Sequence, residues 1–180
     1  MAWVVLLKGA NTGGKTFRPS VLPKELPALG LVSIGAAGTF VARTSATAES
    51  IRKTVRAKLP FDPTITIVPG ADILRLLRED PIGGEVRAPG VRKFITIASE
   101  PLSPEILLPI DAPTPEAWAV RVLAVDGPFA MGLCRRMGPR VVYPTDVIER
   151  AYSVEATTRW WESLESVGKE LRSSPNPPGR

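Results

Sequence analysis

Short β-branched apolar runs alternate with segments of helical period along this chain, and that alternation constrains its fold more than any other feature. Residues 3–8 and 64–68 are apolar and β-branched, which is typical of buried strands. Residues 47–59 carry the clearest helical pattern, because Thr47 can cap the helix and apolar residues recur every four positions. The first half therefore predicts strands over 3–8, 31–34, 38–43 and 64–68 and helices over 47–59 and 71–80.

The second half repeats this order of elements after a segment rich in Gly and Pro. It predicts strands over 92–99 and 117–126, a short helical turn over 103–110 and helices over 144–152 and 158–171. The pattern indicates an α+β protein of two halves related by duplication. We expect a first half over residues 1–80 with the Gly-rich loop, a linker over 81–91, a second half over 92–172 with the C-terminal helix, and a disordered tail over 173–180.

Histidine is absent from the sequence, and cysteine occurs once, as Cys134. Without histidine there is no Ser-His-Asp triad and no Cys-His dyad, and one cysteine does not make a zinc site. Any general base would have to be a carboxylate, a lysine or a tyrosine. No apolar run is long enough to span a bilayer, and a single cysteine suits a reducing compartment. We therefore expect a cytoplasmic protein with no metal, no cofactor and no membrane partner.

The segment GANTGGKT, residues 9–16, matches the phosphate-binding loop of nucleotide hydrolases and directly follows a predicted strand. Such a loop needs a helix that begins at its Lys-Thr pair, since the helix N-terminus faces the phosphates. Pro23 and Pro27 would lie inside that helix, at a cost of about 3 kcal/mol each. The context therefore argues against a nucleotide hydrolase, which stays as an alternative.

The same residues resemble a known family. VVLLKGANTGGKT is similar to the ALLRGINVGGKN opening of the bacterial family known as domain of unknown function 1697, in which the glycines, Asn11 and Lys15 have counterparts. The closing segment VEATTRWWESLESVGKEL resembles that family's VPATTRNWNTVTKLLEL, with matches at Thr157, Thr158, Arg159 and Trp161. With the weaker similarities between these motifs, the resemblance spans nearly the whole chain.

The resemblance implies a fold of two α/β plait (ferredoxin-like) halves, with antiparallel sheets and helices packed on one face. It implies no reaction. Polar residues of the family pattern are replaced in this chain by Ala37, Thr39, Trp160 and Glu162. If the family has a polar site at these positions, this chain has altered it.

Two segments supply candidate ligand-binding residues. In the Gly-rich loop, backbone N–H groups and lysines could hold an anion, through Lys8, Asn11, Gly13, Gly14 and Lys15. In the segment ATTRWW the candidates are Thr157, Thr158, Arg159 and Trp161. A threonine there is expected to cap the last helix, and either tryptophan to lie in the core. Arg159 is expected in the first helical turn, where it opposes the helix dipole and needs a carboxylate or an anionic ligand.

The net charge of +5 permits an anionic partner. We predict a binding or interaction protein without chemistry of its own, whose Gly/Lys loop weakly binds a phosphate-bearing small molecule or nucleic acid. One alternative is a nucleotide-dependent enzyme that uses Gly9–Thr16, and another is a structural or oligomerising protein with no small ligand. A further candidate for nucleic-acid contact is the basic helix face of Arg52, Lys53, Arg56 and Lys58.

Overall fold

The computed structural model describes residues 1–9, 18–84, 88–139 and 141–173. The chain is an α+β protein with two antiparallel sheets, one of four strands and one of five. Its contacts divide it into two units. The first comprises Met1–Glu79 and the segment that begins at Glu162, and the second comprises Asp80–Trp161. The predicted α+β class with two sheet halves is confirmed.

The first unit begins with strand β1 (Ala2–Leu7). After the loop, a 3-10 turn Pro19–Val21 is followed by helix α1 (Leu22–Glu25) and a second 3-10 turn Pro27–Leu29. The remaining elements are β2 (Leu31–Ile34), β3 (Thr39–Arg43), α2 (Ala48–Arg56), β4 (Ile65–Pro69) and α3 (Gly70–Glu79). Thr47 caps α2 as predicted, because its hydroxyl oxygen accepts a hydrogen bond from the Ser50 N–H at 3.2 Å.

The first sheet has the strand order β2-β3-β1-β4, and every neighbouring pair is antiparallel. Strands β1 and β2 are therefore parallel to each other with β3 between them, which is a split β-α-β arrangement. Val5 and Leu7 of β1 share one core cluster with Ile51 and Val55 of α2.

The opposite face of the first sheet is buried too. Successive strand residues face opposite sides, so Val4 and Leu6 lie on the face away from α2, and both are buried. Helix α3 contacts β1 and β4, and its Ile73 and Leu76 are fully buried. Both faces of β1 are therefore buried in the first unit.

The second unit contains β5 (Val91–Ala98), β6 (Ile110–Ala112), β7 (Val120–Asp126), β8 (Phe129–Arg135), α4 (Pro144–Tyr152) and β9 (Ala156–Trp160). Its sheet has the order β6-β7-β8-β5-β9. Apart from the extra edge strand β6, the strands β7, β8, β5 and β9 stand in the same order as β2, β3, β1 and β4 of the first sheet. The helical turn predicted over 103–110 is wrong, since those residues form turns and bends that end in β6.

Helix α5 (Trp161–Arg172) follows β9 directly, and by its contacts it belongs to the first unit. Leu171 lies so close to Gly70 that a Cβ on that glycine would be 2.7 Å from the leucine Cδ2. Gly168 is approached in the same way by Leu77 of α3. The prediction that the C-terminal helix packs with the second half is therefore corrected. Local composition does not determine which unit a later helix contacts.

Arg43 of β3 attaches the end of α5 within the first unit. Its guanidinium pairs with the carboxylate of Glu170 and donates to the backbone oxygen of Ser173 at 3.0 Å. Ser173 was expected in the disordered tail, and this contact corrects that boundary. Residues 174–180 of the predicted tail lie outside the described residues.

The predicted linker over 81–91 is described only in part, since residues 85–87 fall outside the described ranges. Ile82 within it is buried, and Val91 already belongs to β5. Among the helices that the structure describes, none is long and apolar enough to cross a membrane.

Candidate functional site

The Gly-rich loop of the first unit is described only at its start. The backbone N–H of Lys8 donates to the carbonyl oxygen of Thr64 at 2.9 Å, which holds the end of β1 against the residues before β4. Gly9 has a φ of 73°, a left-handed conformation that glycine adopts without strain. The predicted ligand residues Asn11, Gly13, Gly14 and Lys15 lie outside the described residues.

The chain after this loop does not form the helix that a phosphate-binding loop requires. Arg18 is extended, with φ −95° and ψ 104°. Each of the three prolines then stands at the first or second position of its own short helical piece: Pro19, Pro23 and Pro27. The prolines therefore divide this segment into single turns, as the sequence argument against a hydrolase expected.

The segment ATTRW is a strand. Residues Ala156–Trp160 pair with β5 in antiparallel register, and α5 begins only at Trp161. The predicted helix start near Thr158 is therefore wrong, and neither Thr157 nor Thr158 caps a helix. The argument that Arg159 opposes a helix dipole fails as well, because Arg159 is a strand residue.

Thr158 faces α4. Its hydroxyl oxygen lies 2.7 Å from that of Thr96 on β5 and 2.7 Å from that of Thr145 on α4. These three hydroxyls form a continuous hydrogen-bonded chain between the sheet and the first turn of the helix. Thr158 therefore has a structural role in joining α4 to β9 and β5.

Arg159 and Thr157 face the opposite side of the sheet and are both buried. The Arg159 guanidinium donates to the Thr157 hydroxyl at 3.0 Å and to the Thr158 carbonyl oxygen at 2.8 Å. Burial lowers the pKa of Arg159 to about 10, which still leaves the side chain charged at neutral pH. Trp161 is also buried, and the Lys93 ammonium lies 5.0 Å from its ring centroid.

A separate cleft of about 310 Å³ opens at one end of the second sheet. Strand β5 runs antiparallel to both β8 and β9, so the start of β5 meets the ends of those two strands. That end carries arginines from two strands and a tryptophan from the third. The residues that line the cleft are Gly90, Arg92, Cys134, Arg135, Arg136, Val141, Val142 and Trp160.

Among the residues that the structure describes, three arginines and no carboxylate line this cleft. Arg92 is exposed, yet its guanidinium lies over the Trp160 ring, 4.0 Å from the guanidinium carbon to the ring centroid. Arg135 lies 3.9 Å over the ring of Trp118 and donates through Nε to the Trp118 carbonyl oxygen at 2.7 Å. Both guanidiniums are thus held in a defined orientation by an indole ring.

Two further cleft residues differ in character. Arg136 is exposed and forms no ion pair with the residues that the structure describes. Cys134 is half-buried, and burial raises the pKa of its thiol, although the nearby positive charge of Arg92 acts in the opposite direction. The thiol is therefore mainly protonated at neutral pH and is a poor nucleophile.

The sequence analysis did not find this cleft. Arg92, Arg135 and Arg136 were not candidates, and Trp160 was expected in the core. The residues come from the ends of three strands that are far apart in the sequence, so no local motif unites them. The available signal was register: in antiparallel neighbours, Arg92 stands directly opposite Cys134.

The basic face of α2 is partly neutralised by its surroundings. Arg52 donates to the Ile65 carbonyl oxygen at 3.3 Å, and Arg56 pairs with Asp62 at 2.9 Å. No group of three or more Cys, Asp or Glu side chains in the described ranges could hold a metal ion.

The chain shares its fold with a solved bacterial structure. It is similar to the conserved bacterial protein SP0830 from Streptococcus pneumoniae, with a TM-score of 0.61 at 14% sequence identity, over 96% of this chain and 98% of that one. At this identity the likeness concerns the fold alone. No family model and no curated protein matches the sequence.

Proposed function

We propose that this protein is a non-catalytic binding protein for a phosphate-bearing ligand, held in the arginine cleft of the second unit. The observation that carries the proposal is the meeting of Arg92, Arg135 and Arg136 in one cleft, whose lining among the described residues includes no carboxylate. Guanidinium groups match the geometry of phosphate oxygens and bind them with charge-assisted hydrogen bonds.

Orientation of the arginines strengthens this argument. An arginine on a flexible surface loses side-chain entropy when it binds, at about 0.5–1.5 kcal/mol for each side chain that becomes ordered. Arg135 is already stacked on Trp118 and bonded to its backbone oxygen, and Arg92 is already stacked on Trp160. Much of that cost is therefore met in the free protein.

The composition of the cleft supports binding without chemistry. The part of its lining that the structure describes holds no carboxylate, lysine or tyrosine, and the sequence holds no histidine, so none of those lining residues is a usual general base. The Cys134 thiol is protonated by burial. Arginines without a base or a nucleophile are typical of recognition.

The Gly/Lys loop stays a second candidate for the anion site, with Lys8 and Lys15 as its cations. Membership of the family of domain of unknown function 1697 likewise stays a prediction. The structural or oligomerising alternative predicts that no small ligand binds at all.

Isothermal titration calorimetry with pyrophosphate at one ionic strength tests the cleft. Removal of one charge-assisted contact costs about 1.5 kcal/mol or more, so Arg136→Ala should weaken binding about tenfold. Arg150→Ala is the matched control, because Arg150 is exposed in the last turn of α4 in the same unit and does not line the cleft. Loss of binding in Lys15→Ala, with wild-type affinity in Arg136→Ala, would assign the site to the loop instead.

A further inference from the structure

The Arg92 guanidinium is a planar group in the wall of the cleft. Arg92 is exposed but stacked at 4.0 Å on Trp160, whose ring packs against the core cluster beneath the sheet. One face of the guanidinium is therefore covered by the indole, and the side chain also lines the cleft. A planar guanidinium fixed in this way can stack with a nucleobase, as arginine planes do in single-strand recognition.

Apolar residues form the rest of the wall. Val141 and Val142 line the cleft, and Val141 is 58% exposed. Apolar walls do not help to bind a bare phosphate, because a small oxyanion is recognised by hydrogen-bond donors. Exposed apolar side chains instead mark a contact with an apolar group. These side chains suit a ligand that carries an apolar or aromatic body beside its phosphate.

Spacing and volume limit the size of that ligand. Arg136 lies two residues beyond Cys134, the cross-strand partner of Arg92, so its backbone is at most about 7 Å further along the chain. A volume of about 310 Å³ is near the lower limit of about 300 Å³ for small-molecule pockets. The cleft can therefore take one planar ring and one phosphate joined by a short spacer.

We infer that the arginine cleft binds one nucleoside phosphate unit, with its base on the Arg92–Trp160 stack and its phosphate at Arg135 and Arg136. This inference rests on the proposed function and names the ligand class of the same site. The unit is either a free nucleotide or one residue of a single strand, since both present the same base and phosphate. The sugar supplies the spacer between the two contacts.

Calorimetry with AMP, ribose 5-phosphate and inorganic phosphate separates the base from the phosphate. Stacking of one base is worth about 1–3 kcal/mol, so AMP should bind about tenfold more tightly than ribose 5-phosphate. Arg92→Lys keeps the charge but removes the plane. It should therefore reduce the affinity for AMP about tenfold more than the affinity for ribose 5-phosphate.

A second variant removes the same stack without changing Arg92, so it controls for local structural effects of the Arg92 substitution. Trp160→Leu removes the ring beneath the guanidinium and should give the same pattern, with melting temperature as the check on folding. Equal loss of AMP and ribose 5-phosphate in both variants would overturn the role of the stack. Tighter binding of O-phosphotyrosine than of AMP would overturn the nucleoside and point to a phosphorylated peptide.

The outcomes separate a failure of the nucleoside inference from a failure of the proposed phosphate-binding function. If AMP and ribose 5-phosphate bind the wild type equally, the base contact is wrong while the phosphate site stands. If no phosphate-bearing probe binds, both are wrong. A short single-stranded oligonucleotide provides the last arm: binding tighter than AMP that weakens steeply with salt identifies a strand as the source, and equal binding identifies the free nucleotide.

Discussion

Arg135 is held by Trp118 in two ways at once. Its guanidinium carbon lies 3.9 Å from the centroid of the indole, and its Nε donates to the carbonyl oxygen of the same residue at 2.7 Å. Arg121 approaches the same ring at 4.8 Å and is itself paired with Asp111 at 2.6 Å. Trp118 does not line the cleft, yet it orients a side chain that does.

Replacement of Trp118 should therefore weaken a site that it does not touch. Trp118→Leu removes the ring and leaves Arg135 to be ordered by the ligand, at a cost of about 0.5–1.5 kcal/mol. We expect the affinity for pyrophosphate to fall about three- to tenfold in calorimetry, and Trp118→Phe to retain most of it. Wild-type affinity in the leucine variant would mean that the bond to the backbone oxygen alone orients Arg135.

Gly132 of β8 is required by the close approach of β7. A Cβ at this position would lie 2.0 Å from the backbone oxygen of Arg121 and 3.0 Å from Cζ of Phe94. The backbone of a paired strand cannot move away without loss of hydrogen bonds, so Gly132→Ala should destabilise the fold by about 3 kcal/mol, at the upper end of overpacking costs. Urea denaturation of the two proteins gives the difference in the free energy of unfolding.

Gly84→Ala is the matched control for Gly132→Ala. An added Cβ there meets no atom of the described residues within 4 Å. Its effect on the free energy of unfolding should stay within about 0.5 kcal/mol. Similar losses in the two variants would show that the β7–β8 pair can shift to accept a methyl group.

Local sequence determined most of the fold because most elements have local signals. The β-branched runs at β1 and β4 and the cap at Thr47 identified these elements before any tertiary contact was considered. The boundary between β9 and α5 was missed for a physical reason. Trp160 continues the helical spacing of α5 backwards, but pairing with β5 holds Ala156–Trp160 extended, so tertiary hydrogen bonds override the local period.

The buried cation Arg159 makes stability depend on alkaline pH. Burial lowers its pKa in the folded chain to about 10, so in the pH range around this value the unfolded chain, whose arginine keeps its usual pKa, binds more protons than the folded one. Stability from this group therefore rises with pH through that window, and its desolvation cost is fully present below the folded pKa. The change should be about 1 kcal/mol between about pH 9 and pH 11.

Comparison with Arg159→Met isolates this effect from other groups that titrate at alkaline pH. Denaturant midpoints of both proteins, measured across that range, give the difference in the free energy of unfolding. The free energy of unfolding of the wild type should rise relative to that of the variant as pH rises. A constant difference would mean that Arg159 has the same proton affinity in the folded and unfolded chains.

The candidate site was less predictable than the fold because its parts are joined only by strand register. Arg92 and Trp160 are separated by most of the second unit, and each taken alone resembles an ordinary surface cation or core aromatic. The two contact each other because β5 pairs with β9, in a register that places Trp160 opposite Phe94, two residues from Arg92. The sequence motif instead made Arg159 a candidate. In strand β9, Arg159 lies on the face of the sheet opposite to that of Trp160.

Cys134 reports on occupancy of the cleft, since it is the sole cysteine and lines the wall. Its raised thiol pKa predicts slower alkylation by iodoacetamide in the folded protein than in concentrated urea at the same pH. A ligand at about ten times its Kd leaves about one cleft in eleven free, so alkylation should slow a further tenfold. Mass spectrometry of the modified chain gives the rate. Undiminished alkylation in a sample that calorimetry shows to be saturated with AMP would place the ligand elsewhere on the protein, because a nucleotide in this cleft covers the thiol.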